Sequence, residues 1–191
     1  MFSSADCGEM HSSMNQPNIT PLPIPTRRCI IRTPLITDAS DLATLQVDQE
    51  AMHFLDGTLP VALEKVCARI KSLSVGSFDF LVITLKESKE LIGRCGLVRE
   101  GNEQSAEIQI VLHSSYHKQC YGSEVLECLI PFGFTQLSLS KLWAHAHPEN
   151  KGSQGLLKKY GFTQTGIVSE DDQSVTHWDW LVFEITRPNN K

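Results

Sequence analysis

The sequence lacks several features that would each assign it to a functional class. No apolar run approaches the roughly 18 residues needed to cross a bilayer, and the first 20 residues lack the basic and apolar regions of a signal peptide. We therefore expect a cytoplasmic protein without a membrane partner. Asp and Glu (22) outnumber Lys and Arg (17), which gives a formal net charge of −5. This balance argues against nucleic-acid binding through a general basic surface.

Metal-site and nucleotide-site motifs are also missing. The six cysteines are scattered without a CxxC pair, so we expect reduced thiols. His145 and His147 alternate on a predicted strand but have no third residue at metal-ligand spacing, so we expect no metal and assign both to packing or solvent exposure. Neither the P-loop pattern GxxxxGKS nor the dinucleotide pattern GxGxxG is present, which argues against a nucleotide-binding regulatory domain.

What the sequence contains is a succession of short strands and amphipathic helices in the order β-α-α-β-β-β-α-β-α-β-β. Three consecutive strands joined by short polar turns imply an antiparallel meander; they are predicted at 78–86, 90–98 and 106–113. The pattern predicts one α+β domain from 26 to 187. A disordered tail is expected at 1–25 and a short C-terminal tail at 188–191.

The stretch YHKQCYGSEVLEC, from 116 to 128, leads from the third of these strands into a helix predicted from about 122 to 137. Backbone N–H groups at a helix start, together with the helix dipole, favour an anion such as a pyrophosphate. Gly122 permits close approach of the backbone, and Ser123 and Lys118 add a hydroxyl donor and a positive charge. A single glycine also commonly precedes a helix that binds no ligand, so the loop alone is compatible with an anion site and with an ordinary helix start. Pro131 predicts a kink or an early end of the helix.

In its wider context, the segment from 106 to 162 resembles the GNAT superfamily of N-acetyltransferases. More narrowly, it is similar to the branch that contains the ribosomal-protein N-terminal acetyltransferases. In that family the pyrophosphate loop has the pattern R/Q-x-x-G-x-G/A, where x is any residue. The loop is followed by a long helix, a strand and an Asn-containing loop that ends in a Gly-Phe pair. The positions in register here are His117, Lys118, Gln119, Cys120, Tyr121 and Gly122, then PEN at 148–150, Ser153 and KKYGF at 158–162. TRRCIIRTPLITDASDL and ELIGRCGL resemble earlier segments of the same branch.

This resemblance implies an α+β GNAT fold with a central mixed, mostly antiparallel sheet flanked by helices. The sheet is expected to splay between its fourth and fifth strands, which are predicted at 106–113 and 141–147. The resemblance also implies acetyl-CoA as cosubstrate, with its pantetheine arm beside the fourth strand. The cofactor-binding residues that it implies are Ile110, Val111, Leu112, His117, Lys118, Gln119, Cys120, Tyr121, Gly122, Ser123, Asn150 and Ser153. For Asn150, a helix-capping role is an equal alternative.

Three positions depart from the family pattern. His117 stands where Arg or Gln is usual, and Leu157 stands where many members place a tyrosine that acts as an acid. Cys120 occupies the position of a glycine. If that position needs a positive φ, its Cβ costs about 1 kcal/mol or strains the loop into a new shape.

Acetyl transfer to an amine needs a neutral nucleophile, and the resemblance makes Glu107 the candidate general base. The alternative for Glu107 is a solvated or ion-paired strand residue. The leading hypothesis is an acetyl-CoA-dependent N-acetyltransferase that transfers directly to a primary amine, either a protein N-terminus or a small amine. The competing hypothesis is a catalytically idle GNAT fold that binds CoA or a partner. The resemblance assigns acceptor choice to 45–62 and 168–178, and both a monomer and a homodimer are compatible with the sequence.

Overall fold

The structure is a computed structural model that describes residues 22–55, 62–74, 76–99, 104–169 and 179–188. The described strands are β1 (Ile24–Pro25), β2 (Cys29–Arg32), β3 (Leu81–Leu85), β4 (Leu91–Val98), β5 (Ser105–Leu112), β6 (Lys141–Ala146), β7 (Thr163–Ser169) and β8 (Asp179–Thr186). The α-helices are α1 (Ala39–Gln46), α2 (Gln49–Met52), α3 (Leu63–Ser72), α4 (Tyr121–Pro131) and α5 (Lys151–Lys159).

The strands form one sheet in the order β1-β2-β3-β4-β5-β6-β8-β7. Every neighbouring pair is antiparallel except β5 and β6, which run parallel because helix α4 connects them. The α+β class, the antiparallel meander and the mostly antiparallel mixed sheet are therefore confirmed.

Strands β5 and β6 pair only at their beginnings. The paired Cα positions run from Ser105 with Lys141 to Glu107 with Trp143, although β5 continues to Leu112 and β6 to Ala146. Beyond Glu107 the two strands diverge and leave a gap in the sheet. The predicted splay is confirmed, and Glu107 lies at the fork where the gap begins.

The alternation of side chains along β5 directs its residues to the two faces of the sheet. Ala106 and Ile108 are buried in the main core with residues of α4 and α5, such as Val125, Leu129 and Leu157. Glu107, Gln109 and Val111 are on the opposite face, where Val111 packs against Leu45 of α1 and Met52 of α2. This division follows the sequence of the strand, in which the apolar Ile108, Ile110 and Leu112 alternate with Glu107, Gln109 and Val111.

Proline ends helix α4 as predicted. Pro131 is its last residue, and a π-helical turn at Phe132–Gln136 follows, because proline cannot donate the backbone hydrogen bond that would continue the α-helix. Gly161, with φ of 84°, follows the end of α5 in the left-handed conformation expected there.

Some boundaries differ from the prediction. Strand β3 begins at Leu81 rather than at residue 78, because Phe78 lies in an irregular segment whose carbonyl accepts the N–H of Leu97. Strand β1 lies inside the stretch predicted to be a tail, since Ile24 and Pro25 pair with β2. Residues 1–21 and 189–191 lie outside the described residues, so the remaining tail assignments stay predictions.

Candidate active site

The loop between β5 and α4 presents its backbone at the start of the helix. The N–H groups of Tyr121, Gly122 and Ser123 make no backbone hydrogen bond within the part of the chain that the structure describes, as expected for the first turn of a helix. They lie at the positively polarised end of α4. The arrangement suits an anion, which is the chemistry predicted for this loop.

Cys120 has φ of 66° and ψ of 11°, so the position does require the left-handed conformation that favours glycine. The loop keeps the conformation and carries the strain of a Cβ. Lys118, a second residue of the loop, has φ of 57°. Both side chains are exposed, so the strained residues are at the surface of the loop.

We expect Cys120→Gly to raise the free energy of unfolding by about 1 kcal/mol, because glycine adopts this φ without a clash at Cβ. Urea unfolding monitored by circular dichroism measures the gain. Cys120→Ala is the matched control, since it removes the thiol but keeps the Cβ and should bring no gain. A loss of stability in Cys120→Gly would show that the loop does not hold this conformation in solution.

Side chains within the loop fix its shape instead of pointing to a ligand. The Nε2 atom of His117 lies 2.9 Å from the carbonyl oxygen of Leu112, and the amide Nε2 of Gln119 donates to the carbonyl of Ser115 at 2.7 Å. The Tyr121 ring is buried in the core and makes an edge contact with the Tyr116 ring. For these predicted cofactor residues, the backbone is the part that remains available to a ligand.

Glu124 anchors the first turn of α4 to the chain before β2. Its carboxylate, in a residue only 4% exposed, accepts hydrogen bonds from the Thr26 hydroxyl, from the Arg27 guanidinium, and from the backbone N–H and guanidinium of Arg28. Burial alone would raise the pKa of Glu124, but these hydrogen bonds, led by the backbone N–H of Arg28, lower the pKa to about 2. Arg28 also donates to the carbonyl of Gln119 at 2.6 Å and lies over the Tyr121 ring. This contact ties the loop to the anchor.

The contribution of Glu124 to stability should depend on pH in the acid range. A fall in pKa from 4.5 to about 2 corresponds to roughly 3 kcal/mol of stabilisation, present above about pH 4.5 and lost as the pH falls toward 2. We expect Glu124→Gln to lower the free energy of unfolding by about 2–3 kcal/mol at pH 6 and by much less at pH 3. Glu127→Gln, an exposed change on the same helix, is the control. An equal loss at both pH values would contradict this assignment.

The gap between β5 and β6 exposes backbone groups on one edge of β5. His113 donates its N–H to Ile92 on β4, so by alternation the backbone groups of Ile108, Ile110 and Leu112 point toward the gap. The backbone groups of Ile110 and Leu112 thus face the gap. Those of Val111 face Arg94 on β4, and its side chain packs against α1 and α2. The contacts of these three residues with a cofactor stay predictions.

Helix α5 follows β6, the strand on the other side of the gap. Asn150 caps this helix, with its side-chain oxygen accepting the N–H of Ser153 at 2.9 Å. The capping alternative for Asn150 is thus the role that the structure shows. A Cβ built on Gly122 would lie 3.2 Å from Leu156 of α5 and 3.9 Å from Leu112 of β5, so α4, α5 and β5 meet around this glycine.

Glu107 stands at the fork beside an aromatic cluster. Its Oε2 accepts a hydrogen bond from the Gln109 amide at 2.6 Å, and its Oε1 lies 3.5 Å from Nδ1 of His145 on β6. The His145 ring contacts Trp143 and Trp180, with centroid distances of 4.9 and 6.2 Å. The assignment of His145 to packing or solvent exposure was therefore incomplete, because the histidine also faces a carboxylate.

His147 and the segment after α2 extend this cluster. The His147 ring stacks on Phe54 at a centroid distance of 5.2 Å and meets Trp180 edge-on at 6.1 Å. Phe54 lies in the segment predicted to choose the acceptor. Most of the other predicted acceptor segment, residues 170–178, lies outside the described residues.

Asp48 connects the acceptor side to the loop before α4. Its carboxylate caps α2 at Ala51, accepts the N–H of Ser114 at 2.7 Å and lies 2.9 Å from Nδ1 of His113. Burial alone would raise the pKa of Asp48, but these contacts, led by the Ser114 N–H, lower the pKa to about 2. One carboxylate thus holds the start of α2 against the end of β5.

Comparison with known proteins decides which family this site belongs to. A family model described as an acetyltransferase (GNAT) domain matches residues 28–163. The chain belongs to the GNAT acetyltransferase family. The uncharacterized N-acetyltransferase p20 of Bacillus licheniformis is 29% identical to it over 154 residues, which cover 78% of this chain and 86% of that protein. The resemblance noted in the sequence is confirmed.

Solved structures of GNAT enzymes share the fold. RimL, a ribosomal L7/L12 alpha-N-protein acetyltransferase in complex with coenzyme A, has a TM-score of 0.75 at 16% identity, over 86% of this chain and 98% of that chain. Spermidine N-acetyltransferase from Vibrio cholerae, in complex with CoA and spermine, has a TM-score of 0.73 at 19% identity, over 83% and 95%. At these identities the comparison establishes the fold.

Two tyrosine-related features distinguish this GNAT chain. Leu157, at the position where the family often has a tyrosine, is buried in the core and offers no hydroxyl. Tyr160 donates its hydroxyl to Glu127 at 2.7 Å and packs against the core. Leu157 has no proton to donate, and the Tyr160 hydroxyl is engaged with Glu127.

The described ranges contain no group of three or more His, Cys, Asp or Glu side chains that could hold a metal ion. Within the same ranges, no helix has the length and apolar character required to cross a membrane.

Proposed function

We propose that this GNAT protein transfers an acetyl group from acetyl-CoA directly to a primary amine. The observation that carries the proposal is the gap between β5 and β6, which opens at Glu107 and leads along β5 to the free N–H groups at the start of α4. A thioester arm that enters this gap can hydrogen-bond to the edge of β5 like an added strand. The pyrophosphate would then lie at the α4 terminus.

The residues present fit acetyl-CoA. The N–H groups of Tyr121, Gly122 and Ser123 suit the pyrophosphate, and the backbone of Ile110 faces the gap in the place of a pantetheine partner. The exposed Lys118 adds a positive charge beside the loop. Ser153, in the first turn of α5 and partly exposed, completes the proposed contacts.

Glu107 is the proposed source of basicity. It is part-buried at the fork, where the end of a thioester arm lying along β5 would meet an amine that approaches from the α1–α2 face. A carboxylate at this point favours loss of a proton from an ammonium acceptor and so generates the nucleophile. Because Leu157 lacks a hydroxyl, we assign the proton of the CoA thiol to the reacting amine itself.

The proposed acceptor is a protein N-terminus or a small amine. RimL and the Vibrio cholerae spermidine N-acetyltransferase, which share the fold, are named for one acceptor of each kind. The acceptor side of this chain combines Glu107 with Trp180 and Phe54, a pairing of negative charge and aromatic surface that suits a cationic amine. The proposed setting is the cytoplasm, as a monomer or homodimer.

Isothermal titration calorimetry with acetyl-CoA tests the proposed cofactor site, with ATP as the control ligand. We expect micromolar binding of acetyl-CoA and none of ATP. A panel of peptides, polyamines and amino sugars then tests transfer by the release of free CoA thiol. Absence of acetyl-CoA binding would overturn the proposal. Binding without turnover on any amine would instead support the second candidate, an idle GNAT fold, which the strained Cys120 and the missing tyrosine favour.

A further inference from the structure

The contact between Glu107 and His145 is a feature of this chain that the proposed function leaves unexplained. The two residues lie on neighbouring strands, on the same face of the sheet, just where β5 and β6 separate. Gln109 holds one carboxylate oxygen of Glu107 at 2.6 Å, and this contact directs the other oxygen to Nδ1 of His145 at 3.5 Å. The carboxylate is therefore already engaged on both oxygens.

The other ring nitrogen of His145 is available. No hydrogen bond to Nε2 is formed by any residue in the described ranges, and the side chain is 28% exposed. Trp143 and Trp180 contact the ring and restrict its orientation. When a carboxylate faces Nδ1, the Nδ1–H tautomer is favoured, and the lone pair is left on Nε2. This is the arrangement of a general base.

We propose that His145 is the group that takes the proton from the acceptor ammonium, with Glu107 as its positioning residue. This inference rests on the proposed function and refines the role of Glu107 within it. Catalytic contacts in an unliganded site are often longer than in the working complex, so a separation of 3.5 Å is compatible with this role.

Every proton in the proposed transfer reaction is accounted for. Nε2 of His145 takes one proton from R–NH3⁺, and the imidazolium that forms is stabilised by the Glu107 carboxylate. The amine lone pair forms the N–C bond to the thioester carbonyl, and collapse of the tetrahedral intermediate breaks the C–S bond. A second proton leaves the nitrogen and neutralises the CoA thiolate, and His145 returns its proton to solvent. The products are the amide, CoA thiol and one proton.

The charged groups near His145 on this face of the sheet are few. Glu107 faces the ring from β5, and His147 follows the end of β6 on the same side. Arg94 of β4 lies on this face as well and interacts electrostatically with Glu107. On β6 and β8, Lys141 and Glu184 pair with each other at 2.9 Å nearer the beginning of β6. Within the described ranges, Glu107 is the group in direct contact with the His145 ring nitrogens.

Chemical rescue distinguishes a proton acceptor from a packing residue. We expect His145→Gly, checked for folding by its melting temperature, to lower kcat/KM at least 100-fold on an amine that the wild-type protein acetylates. Free imidazole should restore at least tenfold of this loss, in proportion to the concentration of neutral imidazole. His145→Gln should lose activity without rescue, because its side chain fills the space. Lys65→Gln, at an exposed position of α3, should behave like the wild type with and without imidazole.

The outcomes separate this inference from the proposed function. A folded His145→Gly variant that keeps its activity, or that loses it without rescue by imidazole, overturns the role of His145 and leaves the acetyltransferase assignment in place. A wild-type protein that acetylates no amine overturns the proposed function, and the role of His145 with it.

Discussion

Replacing Glu107 with Gln is expected to lower kcat/KM for the amine acceptor by two to three orders of magnitude, while the Kd for acetyl-CoA stays within about threefold. The substitution keeps the size of the side chain and its contact with Gln109 but removes the negative charge beside His145. General base catalysis contributes about 10²- to 10⁴-fold, so loss of the charge should cost much of that factor. Thiol release at saturating acetyl-CoA measures the rate, and calorimetry measures the Kd.

The pH dependence provides an internal check on this prediction. As the pH rises, more of the acceptor is already neutral in solution and needs no base, so the defect of Glu107→Gln should shrink. Glu184→Gln is the matched control, since Glu184 lies on the same sheet but is ion-paired with Lys141. A defect that is constant across pH, or a near-normal rate, would return Glu107 to the class of structural strand residues.

The sequence pattern was sufficient for the elements whose signals are local. The alternation on β5 identified which side chains face the core, and Pro131 marked the end of α4 because the missing N–H acts at the residue itself. The loop before α4 was located from Gly122 and its neighbours. The left-handed conformation of Cys120 was anticipated from the family position alone.

Contacts between distant segments were not predictable in the same way. His145 reaches Glu107 only because β5 and β6 pair in one particular register, and no local pattern encodes a register between strands that are separated by a helix. The same limit applies to Glu124, whose partners Arg27 and Arg28 lie nearly a hundred residues away. The sequence of the strand that carries His145 therefore could not show that this histidine faces the Glu107 carboxylate.

The loop shows how a chain that departs from its family pattern can keep the family geometry. Arg28 bonds the carbonyl of Gln119 and is itself held by Glu124, so the backbone next to Cys120 is fixed from outside the loop. Surrounding contacts of this kind can maintain a strained residue that would relax in isolation. Cysteine in place of glycine therefore lowers the stability of the protein but leaves the conformation of the loop unchanged.

The second large effect is expected at the neighbouring position. Gly122 does not have a positive φ, so its importance lies in space rather than in backbone freedom. A Cβ there would approach Leu156 to 3.2 Å, and the two methyl groups of valine would extend further into the junction of α4, α5 and β5. Overpacking of this kind costs about 1–3 kcal/mol, which corresponds to roughly 10- to 100-fold in affinity if the ligand must occupy the same space.

We therefore expect Gly122→Val to raise the KM and Kd for acetyl-CoA by about 10- to 100-fold, with a much smaller change in kcat at saturation. Gly155→Val is the matched control, because a Cβ at Gly155 on α5 meets no atom within 4 Å. Melting temperatures establish that both variants fold. A folded Gly122→Val variant with unchanged affinity would mean that acetyl-CoA does not pass this junction. The free N–H groups at the start of α4 would still form an anion site, but the gap that begins at Glu107 would not lead to it. The anion site would then have to bind another ligand.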